Sequence, residues 1–259
     1  MKIYNLQFTP ILSRVLDKVG TIYKKIALIL LLIVGCLLFV STPLGVQAQS
    51  VDLLWQGETY VPPFYQGRSL WSNQSRITFF AMTQGLGNPA NLYYKWTKNG
   101  TVLGNINGVG KNTLSFTDSI LSRPQIIRVD ILSGENAVLA SASVFAAPES
   151  PILDVYENNP LYGFMFHRGV DREYRFRDKE TTFTAFPLFF SVSGRADNTI
   201  SYEWRTNNGD VETKNSVTYR APDNVAGASQ IQVSASNKEK ILQSGGKNFL
   251  IQFGKNNEQ

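Results

Sequence analysis

Tyr94-Lys95-Trp96-Thr97-Lys98-Asn99-Gly100 recurs later in the chain as Tyr202-Glu203-Trp204-Arg205-Thr206-Asn207-Asn208-Gly209. In both places a Tyr-x-Trp run leads into an Asn-Gly turn. Alternate side chains of an extended chain point to opposite faces, so Tyr and Trp share one face and the polar residue between them takes the other. Asn-Gly supplies the positive φ that a tight hairpin needs. Each copy therefore reads as a half-buried strand entering a hairpin.

The correspondence extends in both directions. Downstream, Asn112-Thr113-Leu114-Ser115-Phe116 matches Asn215-Ser216-Val217-Thr218-Tyr219, with apolar residues at alternate positions. Further on, Ile127, Val129 and Ile131 alternate with Arg128 and Asp130, as Ile231, Val233 and Ala235 alternate with Gln232 and Ser234. Upstream, Ile77-Thr78-Phe79-Phe80-Ala81-Met82 is set against Pro187-Leu188-Phe189-Phe190-Ser191-Val192. Four segments in one order in both halves indicate a duplicated unit. Short strands punctuated by Gly, Asn and Pro, with no sustained helical period after residue 50, predict an all-β sandwich or barrel.

These residues resemble the bacterial immunoglobulin-like and PKD-like domains of surface proteins. The resemblance is carried by Trp96 and Trp204 on the third strand, each before an Asn-Gly turn, and by the strands at 112–116 and 126–132. It implies two tandem immunoglobulin-like β-sandwich domains, over 51–146 and 152–254, with each Trp packed between two sheets. Ile127, Val129, Ile231 and Val233 are the expected companions of Trp96 and Trp204 in the two cores. The inter-sheet cysteines of the antibody pattern and the acidic residues of the PKD motif are both absent. Residues 147–151 form the expected linker, stiffened by Pro148 and Pro151. The segment at about 157–182 has no counterpart in the first half and mixes Arg, Lys, Asp and Glu. It reads as a solvated hairpin insertion.

An N-terminal hydrophobic helix is expected ahead of the sandwiches. Residues 26–46 run IALILLLIVGCLLFVSTPLGV without a charge, long enough to span hydrocarbon. Lys24 and Lys25 precede the run, so residues 1–25 are expected in the cytoplasm and the later domains outside. The run is either a single-pass transmembrane helix or a signal-peptide core. Val46-Gln47-Ala48 has the small-residue spacing of a signal-peptidase site, and a cut after Ala48 would release a secreted protein. Ile33-Val34-Gly35-Cys36 resembles a lipobox, although the apolar run continues past Cys36.

The chain carries a formal charge of +5. Lys2, Arg14, Lys18, Lys24 and Lys25 stand against Asp17 alone in the first 48 residues, which leaves the remainder nearly neutral. Such a body lacks the clustered basic face of a nucleic-acid binder. Cys36 is the only cysteine, so no intrachain disulfide or Cys-ligated zinc site can form. His167 is the only histidine, and it stands without the nucleophile and orienting group that a catalytic base requires. No motif implies an enzyme, a metal or a cofactor.

The expected function is a non-catalytic extracytoplasmic structural or interaction module of the cell envelope. It would bind envelope or surface proteins through sandwich edges and loops, as part of a surface appendage or secretion assembly. The alternative is a carbohydrate-binding surface module. In that case Trp55, Tyr60, Phe64, Tyr65 and Trp71 would form a stacking platform for a glycan, whereas the simpler reading has them cover one end of the first core.

Overall fold

The computed structural model describes residues 23–25, 29–30, 48–118, 120–134 and 136–254. Residues 23–25 and 29–30 are helical, and the rest of the expected N-terminal helix, with Cys36, lies outside the described residues. Among the described residues no helix is long and apolar enough to cross a membrane. Ala48 is exposed, two residues ahead of the first strand.

The first half contributes β1 (Ser50–Gly57), β2 (Arg76–Gln84), β3 (Tyr93–Lys98), β4 (Thr101–Val102), β5 (Gly108–Val109), β6 (Thr113–Thr117), β7 (Gln125–Leu132) and β8 (Val138–Ala146). The second contributes β9 (Ile152–Asn159), β10 (Gly163–Gly169), β11 (Glu173–Arg175), β12 (Glu180–Leu188), β13 (Ile200–Thr206), β14 (Val211–Glu212), β15 (Ser216–Arg220), β16 (Gly227–Asn237) and β17 (Ser244–Phe253). In the first half β1-β2-β6 form one sheet and β4-β3-β7-β8 the other, with β5 on β3. The second half repeats both orders as β9-β12-β15 and β14-β13-β16-β17, and adds β10 at the β9 edge and β11 at the β17 edge. From Gln49 onward the described residues form an all-β unit of two sandwiches in tandem.

Each sandwich has its own core between its sheets. Val51, Ile77, Phe79 and Leu114 from one sheet meet Tyr94, Trp96, Ile127 and Val129 from the other. In the second copy Leu153, Val155, Phe183 and Val217 meet Tyr202, Trp204, Ile231 and Val233. The same polar ties recur inside both. The indole Nε1–H of Trp96 donates to the Lys111 carbonyl at 2.7 Å, and that of Trp204 to the Lys214 carbonyl at 2.8 Å. The Tyr94 hydroxyl donates to the Pro89 carbonyl, and the Tyr202 hydroxyl to the Arg195 carbonyl. The Ala81 N–H reaches the Asn112 carbonyl, and the Ala185 N–H the Asn215 carbonyl. Thr78 with Ser115 and Thr182 with Thr218 join the outer faces of equivalent strand pairs.

The register corrects one expected correspondence. Phe79 lies opposite Leu114 and Phe183 opposite Val217, so residues 77–82 match 181–186 rather than 187–192. The Phe-Phe pair at 189–190 instead forms the bend after β12. Phe189 has φ 65° there, and Gly85 has φ 68° at the same point after β2. A bulky aromatic in the left-handed region is rare, and it is held here by backbone bonds to the first copy.

The expected solvated insertion at about 157–182 is also corrected. Its backbone turns back into the second sandwich, where Glu157, Val170, Tyr174 and Thr181 are buried. The mixed charges sit between these positions, because in extended chain one face can be wet while the other packs.

Trp204→Ala empties a fully packed site and leaves the Lys214 carbonyl unmatched. Its expected cost is about 3–5 kcal/mol. Chemical denaturation of the folded unit from Gln49 onward measures it, and a midpoint equal to wild type would refute the core assignment.

Candidate functional site

The connection from β1 to β2, residues 58–75, is rich in aromatics. Its neck closes at Gly57, whose N–H donates to the Ser69 carbonyl at 2.8 Å. A Cβ at Gly57 would stand 2.5 Å from the Leu70 carbonyl oxygen, so glycine is what allows the two strands of the neck to cross. Beyond it the loop reaches the second sandwich. The Tyr60 N–H donates to the Phe190 carbonyl and its carbonyl accepts from the Phe189 N–H, both at 2.8 Å.

Phe64 then lies on the outer face of the β9-β12 sheet. Its ring centroid is 3.8 Å from that of Phe166, 5.2 Å from Tyr156 in an edge contact and 5.8 Å from Phe186. Tyr65 meets Phe189 edge-on at 5.7 Å. Arg195 covers the other side of the cluster, 4.7 Å from the Phe164 ring centroid and 5.2 Å from that of Phe186. Phe186, Leu188 and Phe189 are buried by this arrangement.

A polar lock stands beside the aromatic one. The buried Gln243 amide donates to the Asn73 carbonyl at 2.7 Å, to the Ser191 hydroxyl at 2.8 Å and to the Ser72 hydroxyl at 3.2 Å. Its carbonyl accepts from the Ser191 N–H and from the Asn237 amide. The Gln74 side chain accepts from the Leu242 N–H. Residues 147–151 are drawn in as well, since the Glu149 N–H donates to the Trp71 carbonyl at 2.7 Å and Glu149 bridges to Ser72. The residues from Gln49 onward therefore make one compact unit.

The five aromatics considered as a glycan platform do not share an exposed surface. Trp55 and Trp71 are buried in the first core, Trp71 donating its indole N–H to the Ser75 carbonyl at 3.2 Å. Arg68 lies over the Trp55 ring at 3.8 Å. Tyr60, Phe64 and Tyr65 are half-buried, with Phe64 and Tyr65 packed on the second copy. Burial pushes the Tyr60 phenol up, against the opposing effect of Arg195. Trp55, Trp71, Phe64 and Tyr65 thus pack against the protein's own side chains rather than together on one open surface. His167 is exposed on β10.

Sequence reasoning did not find the hairpin anchor in the second copy. The Glu157 carboxylate accepts from the Tyr174 hydroxyl at 2.6 Å, from Arg168 at 2.9 Å and from the Asn159 amide at 3.1 Å. Burial raises the Glu157 pKa, but the bonds from Tyr174, Asn159 and Arg168 together outweigh it and hold the carboxyl below its ordinary value. Burial, with the bond to Glu157, raises the Tyr174 phenol well above its usual range. The network ties β9, β10 and β11 together and fixes the hairpin tip at 160–162. The only signal in the sequence was the apolar Val170 and Tyr174 spaced among charges.

No family model matches the chain, and no curated protein is similar to it in sequence. Solved structures with tandem sandwich modules are distantly similar. The fibronectin(III)-like modules of Clostridium thermocellum CbhA are 12% identical at TM-score 0.27, over 77% of this chain and 93% of theirs. The FN1–FN3 domains of chicken CNTN1 are 12% identical at TM-score 0.26, over 77% and 69%. The Ig1–Ig3 ectodomain of mouse nectin-like molecule 4 is 11% identical at TM-score 0.25, over 79% and 64%.

Two outcomes test the junction and the anchor. Gln243→Ala strands buried partners at a cost of about 1–3 kcal/mol. Combined with Phe64→Ala, it is expected to split the single unfolding transition of the unit into two, read by denaturation with tryptophan fluorescence. For Glu157, a depressed folded pKa means its stabilisation is complete above the ordinary glutamate value of about 4.3 and is lost as pH falls through the folded value. Glu157→Gln is therefore expected to be less stable than wild type near neutral pH and to lose less on acidification. Parallel acid slopes would refute the charged network.

Proposed function

We propose that the chain is a non-catalytic interaction module of the cell envelope, in which two locked sandwiches offer an open sheet edge to an extended segment of a protein partner. One observation carries the reading. In the second copy the β17 edge is covered by β11, which pairs with it in parallel through Glu173, Tyr174 and Arg175. In the first copy the equivalent β8 pairs with β7 alone among the described residues. β1 flanks β8 as β9 flanks β17, and in the second copy that arrangement leaves room for β11.

β8 reads VLASASVFA, nine residues without a charge, with Val138, Leu139 and Phe145 exposed. Soluble proteins blunt such edges with charge, proline or a covering segment, and an edge left open is a template for strand addition. Small residues from Ala140 to Ser143 let a second backbone approach closely. The module acts outside the cytoplasm in this reading, held by the apolar run 26–46 or released after Ala48. The basic residues ahead of that run support this placement.

Ser141 and Ser143 are exposed on β8, and lysines there would charge the edge with little effect on folding, within about 0.5 kcal/mol. Photo-crosslinkers at these positions in intact cells are expected to capture an envelope protein, and Ser141→Lys with Ser143→Lys is expected to abolish the capture. A capture that survives the lysines refutes the edge, and retained binding to envelope glycans instead favours the carbohydrate module.

A further inference from the structure

We infer that the unit from Gln49 onward associates head to tail with a second copy of itself, the hairpin tip at Leu161 and Tyr162 of one copy covering the face formed by Leu54, Phe80 and Met82 of the next. The inference rests on the interaction-module reading but uses a different surface.

The internal junction is the template. Leu54 pairs with Phe80 and Asp52 with Met82 across β1 and β2, as Tyr156 pairs with Thr184 and Asp154 with Phe186 across β9 and β12. Leu54 and Met82 of the first copy therefore match Tyr156 and Phe186, the two positions of these strand pairs on which Phe64 of the clasp sits. Phe186 is 0% exposed under Phe64, whereas Met82 at the same position is 54% exposed. Leu54 and Phe80 are exposed beside it. The backbone part of the site is also repeated. Phe189 and Phe190 pair with Tyr60, and among the described residues no comparable backbone bond is made by Gly85 or Leu86 at the same bend. An apolar face that one copy hides under an aromatic loop stands bare on the other.

The donor is found by the same equivalence. The loop that forms the clasp connects the first and second strands of its sandwich and leaves from the pole facing the next copy. The corresponding connection in the second copy, residues 160–179, leaves from its far pole. At its tip Leu161 is 85% exposed and Tyr162 76%. The Asn159 carbonyl oxygen of the side chain accepts from both of their backbone N–H groups, at 2.9 and 3.3 Å, and Asn159 itself is held by Glu157. The tip is thus ordered without a partner, which lowers the entropic cost of docking. Because donor and acceptor are different surfaces on opposite ends, the contact is heterologous and extends into a chain of copies.

Sedimentation velocity of the unit from Gln49 onward over a concentration series tests this. Wild type is expected to form dimers and larger species. A tip variant, Leu161→Ser with Tyr162→Ser, and a face variant, Phe80→Thr with Met82→Lys, are each expected to weaken association by roughly 10–100-fold. Mixed together, they are expected to restore dimers and nothing larger, since one good tip and one good face remain. All four side chains are exposed, so unchanged unfolding midpoints confirm that folding is intact; if the face variant unfolds early, Met82→Lys alone replaces it. A monomeric wild type overturns the inference, as does assembly that survives the tip variant or tip-dependent binding to phosphatidylglycerol vesicles by a monomer. Ser141→Lys with Ser143→Lys is expected to leave assembly intact, which separates this surface from the β8 edge.

Discussion

The two indole rings and the carbonyls they reach hold the architecture. Each Trp sits on one sheet, and its N–H bonds to the residue two before the first-sheet strand β6 or β15. The tie therefore crosses the core in a chain that has no cysteine after residue 36. Burying so large a ring supplies most of the energy, a few kcal/mol against a net of about 0.5–1.5 kcal/mol for the hydrogen bond. The bond supplies something burial does not. It fixes which segment lies over which ring, and so sets the register of the sheets.

Once both copies are built on this tie, their differences acquire meaning. The first copy uses its β1–β2 connection to clasp its neighbour. The second uses the same connection to cover the edge of β17 and to raise an ordered hairpin. What one copy covers, the other leaves open: the β8 edge and the face of Leu54, Phe80 and Met82 have covered equivalents in the second sandwich. Two sandwiches joined only by a short proline-containing segment would move independently. Gln243 and the Phe64 cluster join them instead through buried polar and aromatic contacts, so the two halves are held in fixed relation.

Much of this fold was legible from Trp96 and Trp204. Their alternation with polar neighbours placed them on buried faces, and Ile127, Val129, Ile231 and Val233 followed by the same period. The correspondence failed at one strand because Phe189-Phe190 imitates Phe79-Phe80 in composition. Only pairing with β6 and β15 reveals that the true partner of Phe79 is Phe183. The aromatics from Trp55 to Trp71 were visible as a group, yet the group divides between one core and the junction. Hydrophobicity says that a ring seeks cover and is silent on what provides it.

The sequence by itself determined the strand content, the duplication, the two tryptophan-centred cores and a body of nearly balanced charge behind a basic, apolar N-terminus. These follow from local periodicity and composition, which act over a few residues and need no knowledge of neighbours. The tertiary structure alone decided that Gln243 would meet Asn73, that Phe64 would lie on Phe166, and that Glu157 would hold a hairpin upright. The first two contacts join residues far apart in the chain, where the partner of each group depends on how two whole sandwiches come to rest against one another. The third forms only once β10 and β11 fold back beside β9.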